Sequence, residues 1–192
     1  YLQERTVPSS YAKHVTCRNA RGVFVPYRVG PLARLNCATR IDTPLAQAEF
    51  ERFREVGGSP CHQTAMYHYA RLIELLHAAE KLVAIAADDE ILSDQVRSVA
   101  TGSPRSATAH VEAPRGVLIH DYQVDANGIV TRANLIVATQ QNLTAIDATV
   151  GMSAQRCLAA PDDELLNGIE FGIRCYDPCL SCATHRLGEM RL

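Results

Sequence analysis

Apolar residues recur at helical spacing most clearly between His62 and Ala87. There Met66, Tyr69, Ile73, Leu76 and Val83 follow one another at three, four, three and seven positions and share one side of a helix. Leu72, Leu75 and Leu82 widen that stripe, which predicts a long helix buried over much of its circumference and ended by Asp88-Asp89-Glu90. Upstream, Thr43-Pro44 reads as an N-cap followed by proline at the first helical position, and Gly57-Gly58 stops that helix near Val56. Two more helices are predicted over about 142–158 and 162–174, the second with Asp162, Asp163 and Glu164 at its positive end. The runs 116–120 and 128–131 flank Asp125-Ala126-Asn127-Gly128, and Asn-Gly between two β-rich runs predicts a hairpin. A further apolar run, Leu135-Ile136-Val137-Ala138, leads into Thr139-Gln140-Gln141-Asn142. Residues 1–42, with Pro8, Pro26 and Pro31, read as loops and short extended pieces, and the polar, small-residue stretch 93–110 as a connector. The sum is an α+β domain, mainly α, with long buried helices in a helical-bundle core and one antiparallel β-hairpin.

Composition narrows the function classes. The chain has 192 residues, 47% hydrophobic and 21% charged, enough for one sizeable core. A net charge of −2 offers no field for nucleic acid or an anionic membrane, and no apolar run approaches the ~20 residues of a membrane span. The sequence opens on Tyr1 without signal-peptide features, which reads as a trimmed start. Seven cysteines without a secretion signal point to a reducing, cytoplasmic setting. Cys17, Cys37, Cys61 and Cys157 are expected as small buried hydrophobes. The glycosylation pattern Asn142-Leu143-Thr144 is read as coincidental in that setting.

Chemistry concentrates at the C-terminal end, in Arg174-Cys175-Tyr176-Asp177-Pro178-Cys179-Leu180-Ser181-Cys182-Ala183-Thr184-His185. Two thiolates separated by two residues can turn toward one metal, and thiolates select zinc, iron–sulfur, copper(I) or nickel over calcium or magnesium. Pro178 is expected to hold Asp177 extended and to fix Cys179 at the start of a turn. A structural zinc half-site, a redox dithiol and a catalytic metal all remain open on spacing alone. A thioredoxin-like dithiol belongs near the start of a βαβ unit, and radical-SAM loops with the same Cys-x3-Cys-x2-Cys spacing sit at the front of a barrel. A complete zinc site needs two more ligands, and no second Cys-x-x-Cys pair is present.

The segment 177–185 resembles the C-terminal signature of nickel–iron hydrogenase large subunits. Glu112-Ala113-Pro114-Arg115-Gly116, followed by His120 and Tyr122, resembles an internal motif of that family, and so does Tyr27-Arg28-Val29-Gly30-Pro31-Leu32-Ala33-Arg34-Leu35-Asn36. Residues 67–74 look like the long helix of its cytoplasmic members, and the four motifs stand in family order over essentially the whole chain. The wording Leu-Ser-Cys-Ala-Thr-His is closest to the cytoplasmic multimeric branch.

The resemblance implies a nickel–iron centre in which Cys179 is a terminal nickel ligand and Cys182 bridges nickel to an iron carrying carbon monoxide and two cyanides. Arg115 is then placed over the open metal position and oriented by Asp177, while Pro114 and Thr139 line the pocket of the diatomic ligands. His185 and the Leu135 carbonyl are implied ligands of a second metal, magnesium or iron. The implied reaction is reversible oxidation of hydrogen to two protons and two electrons. Implied partners are a small subunit carrying iron–sulfur clusters, further electron-transfer subunits, a maturation endopeptidase and nickel-insertion proteins. No iron–sulfur cluster pattern occurs in this chain. The family's N-terminal Arg-x-Cys-Gly-x-Cys segment is also absent. Residues 1–192 are therefore expected to be the C-terminal portion of one large-subunit domain, carrying half of the metal ligands and inactive alone. Family members are cleaved after the histidine matching His185, whereas here 186–192 follow, as in an unprocessed form or a short-tailed type. The alternatives beside this reading are a non-catalytic or decayed relative, such as the complex I subunit that lacks the cysteines, and a structural zinc-binding domain.

Overall fold

The structure, a computed structural model, describes residues 1–6, 12–99, 102 and 105–183. Strands β1 (Leu2–Thr6), β2 (Lys13–Arg18) and β3 (Phe24–Val25) form one antiparallel sheet in that order. Helices α1 (Pro31–Cys37), α2 (Pro44–Gly57) and α3 (Met66–Ala86) follow. Strands β4 (Ser106–Ala113), β5 (Gly116–Val124) and β6 (Val130–Ile136) make a second antiparallel sheet, with β5 central. Helices α4 (Ala138–Cys157), α5 (Asp162–Cys175) and the short α6 (Leu180–Ala183) complete the described residues, and the fold is α+β. None of these helices is long and apolar enough to cross a membrane.

The core lies where α1, α2, α3, α4 and the end of α5 converge. Leu32, Leu35, Phe50, Phe53, Tyr67, Ile73, Ile146 and Cys175 pack there, each buried. Each buried Phe, Leu or Ile side chain contributes about 1.5–3 kcal/mol relative to leaving it in water. Edge-to-face contact between Phe53 and Tyr69 (5.7 Å between centroids) ties α2 to α3. A tilted contact between Tyr67 and Tyr176 (5.0 Å) ties α3 to the end of α5.

Several expectations need correction. The predicted stripe on α3 holds through Leu76, but Leu72, Leu75, Leu82 and Val83 are exposed, at 62%, 64%, 69% and 70%. The fully buried residues of α3, Tyr67, Ala70 and Ile73, all lie in its first three turns. The expected connector ends at Ser106, where β4 begins and pairs along its whole length with β5. That strand escapes the pattern search because nearly all of it is exposed. The short extended pieces expected in 1–42 pair into the N-terminal sheet; four of the five β1 residues are exposed, so their pattern does not show the pairing. Helix α1 is only seven residues long, although Pro31 at its start is a recognisable signal. Of the four scattered cysteines only Cys61 is buried; Cys17 and Cys157 are half-buried and Cys37 is exposed. Asn142 is 1% exposed and bonded to the backbone of Val29, so its glycosylation pattern is indeed coincidental in this fold.

Thr43 occupies the N-cap position of α2, yet its hydroxyl does not cap the helix and instead meets His77 Nδ1 at 2.9 Å. The cap comes from α3, where the Glu80 carboxylate accepts from the Leu45 and Ala46 N–H groups at 3.0 and 2.9 Å. Desolvation opposes the Glu80 charge, but the two backbone donors, together with the Thr43 hydroxyl and His77, outweigh it and hold the carboxyl below the ordinary glutamate range. A group with a depressed folded pKa stabilises the fold above its unfolded pKa and loses that contribution as pH falls through the folded value. Glu80→Ala should therefore lower the Tm at pH 7, with the gap from wild type closing as pH falls below the ordinary value of ~4.3. Thermal unfolding followed across that range checks it; a gap that ignores pH contradicts the carboxylate cap.

Candidate metal centre

Three short pieces of chain build the site. The first is the tight turn Ala113-Pro114-Arg115-Gly116, which joins β4 to β5 with Ala113 and Gly116 as the closing pair. Gly116 has φ 132°, and a Cβ there would stand 2.5 Å from the Val29 side chain. Gly30, with φ 101°, lies so close that a Cβ would stand 2.7 Å from the Arg115 carbonyl oxygen. The turn therefore rests backbone to backbone on the segment leading into α1, an approach only glycine permits.

The second piece is the exit from α5. Tyr176 is buried, its ring on Tyr67 and its hydroxyl 2.9 Å from that of Thr149 on α4. Arg71 Nη2 donates to the Cys175 carbonyl at 3.0 Å, which anchors the end of α5 to α3. Asp177 then takes φ 48°, in the left-handed region, rather than the extended geometry expected before Pro178. Proline disfavours the right-handed helical conformation for its predecessor, and here a left-handed helix exit satisfies that constraint, aspartate being among the residues that tolerate it. The chain then turns at Cys179, as expected, with the Cys182 N–H donating to the Cys179 carbonyl at 3.3 Å as α6 begins.

The third piece is the first turn of α4, which starts at Ala138 rather than at about 142. Its polar residues Thr139, Gln140, Gln141 and Asn142 are buried instead of marking a boundary. Gln141 accepts from the Tyr27 hydroxyl (2.7 Å) and donates to the Val117 carbonyl (2.6 Å). Asn142 accepts from the Val29 N–H at 2.9 Å and donates to the Val29 carbonyl at 3.2 Å, which the Tyr67 hydroxyl also reaches at 3.0 Å. Thr139 accepts from the Cys179 N–H at 3.0 Å. Its hydroxyl proton therefore stays available for another acceptor.

These pieces bring most of the sequence-predicted site residues together. Arg115 Nε donates to the Asp177 carbonyl at 2.7 Å and lies 3.1 Å from its carboxylate, while Nη2 reaches that carboxylate at 3.4 Å. Glu112, just ahead of the turn, pairs with Arg34. Cys179 and Cys182 meet sulfur to sulfur, their Cα atoms 5.4 Å apart. Pro114 sits in the Arg115 turn, and its carbonyl accepts from Arg34 Nη2 at 2.8 Å. Leu135 lies at the end of β6, where its carbonyl accepts from Lys13 Nζ at 3.1 Å. His185 falls outside the described residues. His68 and His77 on α3 have partners in Arg71 and Thr43.

The donor chemistry fits half of a soft-metal site. Two cysteine sulfurs converge from one loop, a buried hydroxyl holds the first cysteine by its backbone, and Asp177, two residues ahead, pairs with the Arg115 guanidinium. No further His, Cys, Asp or Glu joins the thiols in a ligand group among the described residues. Sequence reasoning left out the supporting residues Arg34, Gln141 and Asn142. For the two amides, the available signal was three consecutive amide side chains one residue after an apolar run, which a surface helix rarely needs.

Comparison with known proteins places the chain in a family. The chain is 43% identical over 197 residues to a vhc subunit of the F420-non-reducing hydrogenase of Methanococcus voltae, a match covering 98% of this chain and 41% of that protein. It is 44% identical over 173 residues to the beta subunit of the NAD-reducing hydrogenase HoxS of Cupriavidus necator, covering 86% and 35% respectively. The chain thus spans well under half the length of these relatives. A solved NAD+-reducing [NiFe]-hydrogenase in the H2-reduced state superposes with TM-score 0.86 at 38% identity, over 96% of this chain and 41% of that one. The Ni-Fe-Se hydrogenase of D. vulgaris Hildenborough, at 21% identity and TM-score 0.60 over 91% of this chain and 37% of that one, shares the fold. The sequence profile described as "Nickel-dependent hydrogenase" matches residues 21–185. With the paired thiols, the arginine turn and the threonine support all inside that span, the chain belongs to the nickel-dependent hydrogenase family.

Proposed function

We propose that residues 1–192 are the C-terminal portion of one catalytic large-subunit domain, contributing half the ligands of a nickel–iron centre that reversibly oxidises hydrogen to two protons and two electrons. The observation that carries this reading is the meeting of Cys179 and Cys182 beside Thr139, with Asp177 on the same short loop paired to Arg115 from the β4–β5 turn. When bound, the centre supplies soft metal ions that polarise hydrogen and accept its electrons. Cys179 and Cys182 would hold it through their sulfurs, donors that favour a soft metal such as nickel. Arg115 sets a fixed cation at the open side, and Asp177 keeps that planar fork in one orientation. Pro114 and Thr139 line the pocket for the carbon monoxide and two cyanides on iron, the free Thr139 proton suiting a cyanide nitrogen. His185 and the Leu135 carbonyl are proposed ligands of a second metal, magnesium or iron.

The remaining thiolates come from the rest of a longer large subunit. Electrons leave through iron–sulfur clusters of a small subunit to further electron-transfer subunits, in line with relatives that are named as subunits of hydrogenases. Nickel-insertion proteins load the site, and a maturation endopeptidase acts once nickel is in place. The free thiols Cys17, Cys37, Cys61, Cys157 and Cys175 fit a cytoplasmic setting. The test is hydrogen uptake with an artificial acceptor by the complete large subunit, produced together with maturation proteins and its small subunit. Uptake that follows nickel content is expected; a zinc-loaded protein without uptake overturns the reading.

A further inference from the structure

We infer that Arg34 is a positioning residue for Arg115: its fork clamps the backbone of the β4–β5 turn and so sets where the Arg115 guanidinium stands. The inference rests on the proposed function for its catalytic consequence, though its structural part does not.

Arg34 lies in the last turn of α1 and spends its donors on three elements at once. Nε and Nη2 each bind one oxygen of Glu74 on α3 at 2.6 Å, a two-point attachment that fixes the plane of the guanidinium. With that plane fixed, Nη1 donates to the Ala113 carbonyl at 2.9 Å and Nη2 to the Pro114 carbonyl at 2.8 Å. Nη1 also reaches the Glu112 carboxylate at 2.8 Å. The clamp thus ends at the peptide that carries Arg115.

The opposite side of the turn is held by steric contact, since neither Gly30 nor Gly116 has room for a Cβ against its neighbours. A turn gripped at two carbonyls and wedged at two glycines has little freedom to translate. Beyond it, the Arg115 side chain is the remaining reach to Asp177, at 2.7 Å to the carbonyl and 3.1 Å to the carboxylate. The Arg34 side chain makes no contact with Cys179, Cys182, Asp177 or Thr139 among the bonds of the described residues, so its influence on the centre runs through the turn. Lysine in place of Arg34 keeps the charge but cannot satisfy two carbonyls and a two-point carboxylate together.

The experiment uses the complete large subunit in complex with its small subunit, comparing wild type, Arg34→Lys, Arg115→Lys and the double variant. Arg34→Lys is expected to retain nickel and to raise amide hydrogen exchange at Gly116 and Val117. It should lower kcat about 10- to 100-fold, the scale on which a misplacement near 1 Å acts, with the KM for hydrogen unchanged. Because Arg34 works through Arg115, the double variant should match Arg115→Lys within about twofold. Glu74→Gln, which loosens the anchor while leaving Arg34 in place, should show the same pattern at smaller amplitude if Arg34→Lys folds poorly. Unchanged exchange at the turn overturns the clamp, and multiplicative losses in the double variant overturn its action through Arg115. If wild type shows no hydrogen uptake, the proposed function fails instead, and the exchange measurement still decides the clamp.

Discussion

Cys179→Ala is expected to strip nickel from the complete large subunit, abolishing hydrogen uptake while leaving the fold in place. Cys179 is half-buried, and the backbone around it is held independently of its sulfur by the Thr139 hydroxyl and by the α6 turn. Removing the thiol therefore deletes a ligand without opening the core, which lies among the helices and not in this loop. The folding cost should stay within about 1 kcal/mol, as for changes away from packed sites. The metal cost is far larger, because a soft ion held by thiolates cannot replace a lost sulfur with the methyl of alanine. Elemental analysis beside uptake assays checks the prediction, with Cys37→Ala, an exposed thiol, as the silent control. Normal nickel content in Cys179→Ala contradicts the ligand assignment.

Arg115→Lys should do the opposite: keep the metal and lose the turnover. The Arg115 side chain bridges the Asp177 carbonyl and carboxylate through Nε and reaches the carboxylate again through Nη2. A lysine ammonium can meet one of these acceptors, but it cannot hold a planar cation in a set direction. Loss of one preorganised donor aimed at developing charge costs about 100- to 1000-fold in turnover, and that range is expected here. Nickel content should match wild type, since Arg115 supplies no metal ligand. Full turnover in Arg115→Lys sinks the role given to the fork, and loss of nickel in that variant shows that Arg115 acts in building the site.

How much of this was legible in the sequence differs by element. Helices α2 and α5 stand within about a residue of their expected bounds, because Pro44, Gly57-Gly58 and the acidic run at 162–164 act locally on the chain. The hairpin between β5 and β6 is equally local: the Asp125 carboxylate accepts from the Asn127 and Ile129 N–H groups at 2.8 and 2.9 Å and closes the turn. Exposed strands leave no such trace, which hid β4 and the pairing of β1. The α3 stripe shows a different limit. Periodicity reports which positions are apolar, not what covers them, so Leu72, Leu75 and Leu82 read as core and are found exposed.

The site divides the same way. The thiols, the arginine turn and Asp177 lie in short motifs whose spacing carries their chemistry, and the structure gathers them at one loop. Their supports are long-range and have no spacing to read. Glu80 caps a helix that begins some 35 residues earlier, Asn142 binds Val29, and Arg34 reaches Pro114 across 80 positions. Each is a polar side chain in an otherwise unremarkable run, and only the folded backbone shows which group it satisfies.

That Cys179 and Cys182 together hold nickel is tested most directly by anomalous diffraction at the nickel edge, from crystals of the complete large subunit with its small subunit. The expected result is a nickel peak bonded to both sulfurs, with the Arg115 guanidinium facing its open side and Asp177 behind the guanidinium. A protein with hydrogen uptake whose nickel peak lies away from these two sulfurs contradicts it.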